Sequence, residues 1–437
     1  MVGWSSEQVA QAAGARLVAP SPHANGPTRA TIDSRDVGPG DLFIGLVGEH
    51  VDGGRFAAQA LAAGAWGVLV APEHADPARL GRPDPRVGGM GQPNGGGDGV
   101  LLAADDPLRA LQDLATAWRR ALGARVIGIT GSTGKTSTKD ILFGMLRPHR
   151  RTVATPQNLN TEIGLPLTVL AAPGDTEVLV LEMGMRGEGQ IAELARIAEP
   201  DVGVIVSIGP VHLELLGTVE RVAAAKAELL HGLPAGGTAV VPVGEDLLAG
   251  HLPDHVEVVT FGPGGDVSDL GAVELPFDAE HLRRNAMAAL AAARAIGVEP
   301  AGAIEVELSD RRGQRHELPG GVVVVDDCYN ANPMSMRAAL DELARAPGRR
   351  VAVLGDMLEL GPDEVAFHEE IGRYAGDRAD VLVTVGPLAA HMGGGHATAD
   401  AGEAAAVVRE IMRRGDTILI KASRGVGLQA VAEALAA

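Results

Sequence analysis

Short apolar runs alternate with longer amphipathic runs through most of the chain. In the middle of the chain the apolar runs have the length of strands, and they span residues 125–130, 177–182, 201–208, 238–243 and 256–261. Among these runs, residues 219–230 repeat apolar side chains with the spacing of a helix that buries one face, and residues 279–296 do so after the last run. Strands separated by helices predict a mostly parallel sheet with helices on both faces.

The same alternation begins again after about residue 308. Strand-like runs at 322–326, 350–354, 381–385 and 417–420 alternate with helix-like segments at 335–344, 364–375, 403–414 and 428–435. Nearer the N-terminus, apolar runs at 41–47 and 66–71 indicate a smaller α/β unit, and residues 81–99, rich in Gly and Pro, indicate a surface insertion. We therefore predict an α/β protein of three domains: a small N-terminal domain (1–104), a central domain (105–308) and a doubly wound, Rossmann-like C-terminal domain (309–437).

A glycine-rich turn joins the first central strand to a helix-like segment at 137–146. The turn and its flanks comprise Thr130, Gly131, Ser132, Thr133, Gly134, Lys135, Thr136 and Ser137. Such a turn directs backbone N–H groups and a helix N-terminus at one point, which attracts phosphate; Lys135 adds a charge and the Thr136 hydroxyl suits Mg²⁺. The usual pattern has a glycine where Ile129 stands, so this is a compressed phosphate loop. The alternative is a plain Gly-rich turn, but the flanking strand and helix favour binding of a nucleoside triphosphate such as ATP.

Composition narrows the class of partner. The formal net charge of −19 argues against nucleic acid and anionic membranes, because both favour a basic face. No apolar run approaches the roughly 18 residues of a membrane span, and the first residues lack the layout of a secretory signal. The one cysteine, Cys328, cannot form an internal disulfide, which fits a reducing compartment. We expect a cytoplasmic protein that acts on small molecules.

Lysine is rare in this chain. Only four of its 37 basic residues are lysines, namely Lys135, Lys139, Lys226 and Lys421. A chain that favours arginine so strongly is expected to keep lysine where arginine cannot replace it. In the segment 219–230, helical spacing places Lys226 beside Val222, Leu229 and Leu230 on the apolar face. Burial favours the neutral amine, which can add CO₂ to give a carbamate, an oxygen ligand suited to Mg²⁺. The alternative is a lysine whose stem packs while its amine reaches water.

Polar residues also follow two other central strands. Glu182 ends the run 177–182, and His212 follows the run 201–208. Ligands of open α/β sheets gather at the carboxyl ends of the strands, so Thr136, Glu182 and His212 are expected to share metal there. Taken singly, Glu182 is equally explained as a solvated carboxylate and His212 as a loop histidine.

The C-terminal series carries a polar loop after its first strand. The loop contains Asp327, Tyr329, Asn330 and Asn332 and ends at Pro333. Tandem polar side chains between a strand and a helix can bind ribose, base or acceptor; the alternative is an Asn-Pro turn that caps the helix.

With these segments in order, the chain resembles the Mur ligases over nearly its whole length, and among them the MurF family. The segments that carry the resemblance lie at 130–136 (TGSTGKT), 158–166 (NLNTEIGLP), 182–184 (EMG), 209–214 (GPVHLE), 225–228 (AKAE), 327–333 (DCYNANP), 354–361 (LGDMLELG) and 421–425 (KASRG). Thr161 stands where asparagine is common in the family, and the insertion at 81–99 is unusual for it. Neither departure touches the predicted metal cluster.

The resemblance implies an N-terminal domain that binds a UDP-linked sugar peptide (UDP-N-acetylmuramoyl-tripeptide), a central ATPase domain and a C-terminal domain that closes over it. It also implies a peptidoglycan-precursor reaction in which the ATP γ-phosphate converts the substrate's terminal carboxylate to an acyl phosphate. The amine of D-alanyl-D-alanine then attacks this acyl phosphate.

The resemblance further implies roles for individual residues. Lys135 and Thr136 handle phosphates and a first Mg²⁺ with Glu182, while His212 and carbamylated Lys226 serve a second Mg²⁺. Asn285 contacts adenine, Arg312 reaches the phosphates and Asp327 binds ribose. The substrate-binding candidates are Ser34, Arg35, Gly48 and Asp52 for the UDP moiety, together with Asn158, Asn160, Tyr329, Asn330 and Asn332.

Two other interpretations stay open from the sequence. One is another amide ligase of the same superfamily, such as the enzyme that adds the third peptide residue or a folylpolyglutamate synthetase. The Asp-Asn-Pro-Arg segment shared by diaminopimelate-adding enzymes does not occur in this sequence. The other is a non-catalytic ATP-binding switch protein, which has no need for Glu182, His212 and Lys226 together.

Overall fold

A computed structural model of the protein describes residues 1–20, 25–80 and 99–436. The insertion predicted at 81–99 lies outside the described residues except for Gly99. None of the helices in the described part of the chain has both the length and the apolarity needed to cross a membrane.

The N-terminal sheet has five strands, and its two central predicted strands are confirmed. The strands are β1 (Arg16–Ala19), β2 (Arg29–Thr31), β3 (Asp41–Ile44), β4 (Gly67–Val70) and β5 (Val100–Ala103), and the helices are α1 (Ser6–Ala12), α2 (Ala57–Ala62) and α3 (Pro77–Leu80). Their order in the sheet is β1-β5-β4-β3-β2, and only β1 pairs antiparallel. All residues of β3, β4 and β5 are buried, and none of them is charged apart from Asp41 at the start of β3.

A six-stranded sheet follows, and it contains all five strands predicted for the middle of the chain. Its strands are β6 (Arg125–Thr130), β7 (Thr152–Ala154), β8 (Val178–Glu182), β9 (Val202–Ile205), β10 (Thr238–Pro242) and β11 (Glu257–Phe261) in the order β11-β10-β9-β6-β8-β7. The helices are α4 (Pro107–Leu122), α5 (Lys135–Leu146), α6 (Gly164–Ala171), α7 (Gln190–Ala198), α8 (Leu213–Leu216), α9 (Val219–His231), α10 (Asp246–Ala249) and α11 (Glu280–Ala295). The run predicted at 201–208 leaves the strand after Ile205, because its apolar continuation, Val206 and Ile208, packs in a buried loop.

The C-terminal sheet confirms the predicted doubly wound arrangement. After a short pair, β12 (Val273–Glu274) with β13 (Gly302–Ala303), its strands are β14 (Gln314–Leu318), β15 (Val322–Asp326), β16 (Arg350–Gly355), β17 (Val381–Val385), β18 (His396–Thr398) and β19 (Thr417–Lys421). The order is β14-β15-β19-β16-β17-β18, with only β14 antiparallel. The helices are α12 (Pro333–Ala344), α13 (Glu364–Gly376), α14 (Ala401–Ile411) and α15 (Gln429–Ala436). Val351 and Val353 of β16 pack in one apolar cluster while Ala352 and Leu354 pack in another, so both faces of this sheet are covered.

The described residues form two compact units. One comprises described residues within Met1–Gly128, His149–Gly184 and Ala192–Asp201, and the other comprises those within Ile129–Pro148, Met185–Ile191 and Val202–Ala437. The phosphate loop, His212, Lys226 and the C-terminal sheet belong to the second unit, and Glu182 belongs to the first. The division into three domains at residues 104/105 and 308/309 stays a prediction.

Candidate active site

The phosphate loop is held in shape by the loop that follows β9. The Ser132 N–H donates to the Ser207 carbonyl at 2.9 Å, and the Thr133 N–H donates to Ser207 Oγ at 2.9 Å. Ser132 Oγ also lies 3.1 Å from the Gly209 carbonyl oxygen, to which it donates. The loop after β9 therefore fixes the backbone that was predicted to receive phosphate.

Gly134 sets the start of the helix that follows the loop. It takes the N-cap position of α5 in the left-handed region (φ 80°), so the helix begins at Lys135, two residues earlier than predicted. A Cβ atom at Gly134 would lie 2.7 Å from Asn285 Oδ1, so only glycine fits there, and the predicted adenine-binding Asn285 lies against the loop. Lys135 Nζ donates to the Gly131 carbonyl at 2.8 Å, while Thr136 is buried in the first turn of α5.

Lys226 is buried as the helical spacing predicts. Lys226 lies in α9 and is 2% exposed. Its helical neighbours Val222, Leu229 and Leu230 are fully buried. Burial holds the pKa of Lys226 well below the ordinary lysine value, and the nearby charge of Lys135 lowers it further. In the part of the chain that is described, no carboxylate forms an ion pair with Lys226. The neutral amine is therefore the favoured form, which excludes the alternative of an amine that reaches water.

His212 lies near Lys135 and Lys226. It is the N-cap residue of α8 with φ 53°, and its Nδ1 lies 2.5 Å from Glu359 Oε2. Burial lowers the pKa of His212; the Glu359 carboxylate opposes this shift, whereas Lys135 and Lys226 add to it. The second unit thus brings Lys135, His212 and Lys226 into one group of basic side chains, in which burial favours the neutral forms of His212 and Lys226.

Glu182 is also buried, at the end of β8. It is 2% exposed, and its Oε1 accepts a hydrogen bond from Asn160 Nδ2 at 2.8 Å. The Asn160 carbonyl in turn accepts from the Gly184 N–H at 2.8 Å, and exposed Asn158 accepts from the Asn160 N–H at 2.8 Å. Asn160 therefore orients the Glu182 carboxylate, which the sequence did not indicate. That Glu182 shares metal with Thr136, and that Asn158 and Asn160 bind substrate, stay predictions.

The polar loop after β15 is anchored by a second buried lysine. Lys421 is 3% exposed and donates to Asp327 Oδ2 at 2.6 Å and to the Asn330 carbonyl at 3.0 Å. Asn332 caps α12 by accepting from the Ser335 N–H at 2.9 Å, so the capping interpretation is confirmed for this residue. Its Nδ2 also donates to the carbonyl of Ser132 at 3.4 Å. The loop thus contacts the phosphate loop while it caps a helix.

Arg312 is stacked on one of the two tyrosines. Its guanidinium carbon lies 4.1 Å from the centre of the Tyr329 ring, and that of Arg424 lies 5.9 Å from it. Within the described residues, Arg312 Nε is buried without a hydrogen-bond partner. A buried, unpaired guanidinium N–H is a donor suited to a phosphate oxygen, as the predicted role of Arg312 requires.

The residues predicted to touch the UDP moiety lie on two turns of the first unit. Ser34 is half-buried, and the exposed Arg35 pairs with Asp33 at 2.7 Å, which lowers the pKa of Asp33 to about 2. In the other turn, the Gly48 N–H donates to a carbonyl at 3.0 Å, and Asp52 Oδ2 lies 2.6 Å from His74 Nε2. Their contacts with a ligand stay predictions.

Three polar residues near these groups were missed by the sequence reasoning. Glu359 contacts His212 and lies in the segment 354–361 that follows a strand, which was a usable signal. Asp140 accepts from the Ser309 N–H at 2.8 Å and from Ser309 Oγ at 3.2 Å, a contact across 169 residues that no local pattern shows. Burial lowers the pKa of His281, and the charges of Glu342 and Asp327 oppose that shift.

Comparison with known proteins places the chain in a family. Three family models match it: "Mur ligase family, catalytic domain" at residues 28–80, "Mur ligase middle domain" at 129–293 and "Mur ligase, glutamate ligase domain" at 311–424. The UDP-N-acetylmuramoyl-tripeptide–D-alanyl-D-alanine ligase of Bacillus subtilis (strain 168) is 37% identical over 440 residues, covering 92% of each chain. The crystal structure of MurF from Acinetobacter baumannii matches with a TM-score of 0.85 at 28% identity, covering 99% of this chain and 98% of that one. MurF from Thermotoga maritima in complex with ADP matches with a TM-score of 0.79 at 29% identity, covering 93% and 96%. The chain therefore belongs to the UDP-N-acetylmuramoyl-tripeptide–D-alanyl-D-alanine ligases, the MurF family of Mur ligases.

Proposed function

We propose that this protein is an ATP-dependent ligase that joins D-alanyl-D-alanine to the terminal carboxylate of UDP-N-acetylmuramoyl-tripeptide in peptidoglycan precursor synthesis. The observation that carries the proposal is the group formed by Lys135, His212 and the buried Lys226 beside a phosphate loop. A nucleotide-sensing switch protein needs the loop but has no use for a neutral lysine buried next to it.

The charges of the site suit this reaction. Phosphoryl transfer from ATP to a carboxylate brings two anions together, so the site must supply positive charge where they meet. Backbone N–H groups at the start of α5 and the Lys135 ammonium would hold the phosphates, and Mg²⁺, when bound, adds Lewis-acid charge. The Thr136 hydroxyl and the Glu182 carboxylate are oxygen donors of the kind that Mg²⁺ prefers.

Lys226 suits a metal site only after it has changed chemically. An amine is a poor ligand for Mg²⁺, whereas the carbamate formed when the neutral amine adds CO₂ and releases one proton offers anionic oxygens. The lowered pKa of Lys226 favours the nucleophilic amine that this addition needs. We propose that carbamylated Lys226 and His212 hold a second Mg²⁺.

The remaining residues are assigned by their positions. Arg312 would reach the nucleotide phosphates through its unpaired Nε, Asn285 would contact adenine and Asp327 would contact ribose. The N-terminal domain (1–104) would bind the UDP moiety, with 105–308 as the ATPase domain and 309–437 as the closing domain. Because ATP and UDP-linked precursors are cytoplasmic metabolites, we place the activity in the cytoplasm, and we propose a monomer because one chain carries every proposed site residue.

A substrate panel tests the proposed function. The purified protein is incubated with ATP, Mg²⁺, bicarbonate and UDP-N-acetylmuramoyl-tripeptide, and phosphate release is measured with D-alanyl-D-alanine or with a single amino acid. Release that depends on the dipeptide supports the proposal, and release only with a single amino acid contradicts it.

Two variants test the role of Lys226 in the same assay. Lys226→Ala is expected to lose activity and to regain part of it with a short-chain carboxylate, while Lys226→Arg stays inactive. Normal turnover by Lys226→Arg would rule out the carbamate.

A further inference from the structure

We infer that Glu359 is a positioning residue that presents His212 to the metal, by accepting a hydrogen bond from Nδ1 and leaving Nε2 as the ligand atom. This inference rests on the proposed function, because the metal role of His212 comes from it. Glu359 itself touches neither nucleotide nor metal in this proposal.

The first support is the geometry of the contact. His212 Nδ1 and Glu359 Oε2 lie 2.5 Å apart, which is well within hydrogen-bonding distance. An ionised carboxylate can only accept, so the proton of a neutral imidazole must lie on Nδ1. The lone pair of that ring is then on Nε2, the one nitrogen that can bind a cation. Carboxylates that orient metal-binding histidines in this way recur in metalloproteins.

The second support is the backbone on both sides of the contact. His212 has φ 53° and Glu359 has φ 63°, so the backbone of both residues lies in the left-handed region, which residues other than glycine rarely adopt. Backbone strain of this kind persists where the surrounding structure imposes it. The turn of Glu359 is seated on the turn of His212, because a Cβ atom at Gly361 would lie 3.2 Å from the carbonyl carbon of Leu213.

The third support is that the loop carrying Glu359 is held on both sides. The Met357 N–H donates to Nε2 of the fully buried His368 at 2.9 Å, and His368 Nδ1 donates to the Glu364 carbonyl at 2.6 Å. The Leu358 N–H donates to Ser423 Oγ at 2.9 Å. A positioning carboxylate needs such a rigid support, because a loosely held one would not fix the ring.

The other carboxylate oxygen of Glu359 faces a cation. Arg186 Nε lies 3.8 Å from Oε1, which leaves Oε2 to the histidine. Glu359 thus contacts His212 through one carboxylate oxygen and lies near a guanidinium through the other.

The first experiment reads the tautomer of His212 in the full-length apoprotein. Nitrogen-15 NMR of protein labelled at histidine distinguishes a protonated Nδ1 from a protonated Nε2, and His212→Gln identifies the signal. We expect wild-type His212 to carry its proton on Nδ1, and Glu359→Gln, whose amide oxygen still accepts, to keep that tautomer. Glu359→Ala should shift the proton toward Nε2. Wild-type His212 protonated on Nε2 would overturn the inference even if Glu359→Ala failed to fold.

The second experiment measures metal affinity without turnover. Electron paramagnetic resonance follows Mn²⁺ binding to each variant with a non-hydrolysable ATP analogue and bicarbonate. Glu359→Ala should bind Mn²⁺ about 10–100-fold more weakly than wild type, whereas Glu359→Gln and Glu369→Gln, an exposed control on α13, should stay close to wild type. Unchanged Mn²⁺ affinity in Glu359→Ala would overturn the inference. Neither measurement uses the ligase reaction, so a wild-type protein without dipeptide-dependent phosphate release would contradict the proposed function and leave these results interpretable.

Discussion

Replacing Lys226 with methionine is expected to abolish ligation and at the same time to stabilise the fold. The side chain is 2% exposed and has no anionic partner among the described residues, so the folded state favours the neutral amine. In the unfolded chain the same amine is protonated up to its ordinary pKa of about 10.4. Wild type must therefore release a proton on folding, and methionine, with a similar shape, need not.

The size of this effect follows from proton linkage. Because the pKa of Lys226 is lowered in the fold, its unfavourable contribution is least above the ordinary lysine pKa and grows as the pH falls toward the lowered value. Between those two values, one bound proton separates the states, which changes the free energy of unfolding by about 1.4 kcal/mol per pH unit. The advantage of Lys226→Met over wild type should thus grow by about 1.4 kcal/mol for each unit by which the pH falls below the ordinary lysine pKa, until the lowered pKa is reached.

Urea unfolding followed by circular dichroism, in buffer free of CO₂, measures that difference. Lys421→Met is the matched control, because Lys421 is also buried but pairs with Asp327 at 2.6 Å, so its loss leaves a carboxylate unpaired and should destabilise the fold. If wild type and Lys226→Met showed the same pH dependence, Lys226 would be charged in the fold, and the basis for its carbamate would be lost.

Three smaller effects should also be measurable by unfolding. Ser309→Ala removes one of the two hydrogen bonds to Asp140 and should cost about 0.5–1.5 kcal/mol in urea. Burial lowers the pKa of His368. Its contribution to stability is therefore complete above about pH 6.5 and is lost as the pH falls toward the lowered pKa. His368→Gln, which can still accept a hydrogen bond, should make the free energy of unfolding less dependent on pH between about pH 7 and about pH 5.5. Gly372→Ala places a Cβ atom against the backbone of Met392 and should lower the free energy of unfolding by about 1–3 kcal/mol. Gly376→Ala, on the same helix, places its Cβ atom in open space and should leave the stability unchanged. The melting temperatures of the two variants measure the difference.

Patterns along the chain predicted the buried elements better than the exposed ones. Every predicted strand of the two larger sheets is present. Most of them are covered on both faces and are therefore continuous apolar runs, whereas β11 is an edge strand with only its last residue buried. The edge strand β14 was missed because its exposed Arg, His and Glu side chains form no such run. Helix α4 was also missed, although Asp106 caps it, Pro107 begins it and Gly123 ends it in the left-handed region, all of which the sequence displays.

In the candidate site, residues marked by a local sequence pattern could be predicted, whereas contacts between residues far apart in the chain could not. Lys226 was found because a rare residue type coincided with the buried side of a helical repeat, and both signals are local. The contact of His212 with Glu359 joins residues 147 positions apart, and nothing in a single sequence states which distant carboxylate reaches a given histidine. Ser132 and Asn332 are likewise 200 positions apart.

The two hydrogen bonds between Asp140 and Ser309 restrict the point about which the C-terminal sheet can rotate. Asp140 lies on the helix that starts at the phosphate loop, so its hydrogen bonds hold Ser309 against that helix. Arg312 follows three residues later, and an extended chain of that length reaches about 10 Å. Any rotation of the sheet relative to Ser309 must then change the backbone angles of residues 310–313. In this segment Arg311 (φ 59°) and Gly313 (φ 77°) already adopt left-handed angles. Arg312 therefore stays close to the helix that follows the phosphate loop, whatever movement the rest of the C-terminal sheet makes.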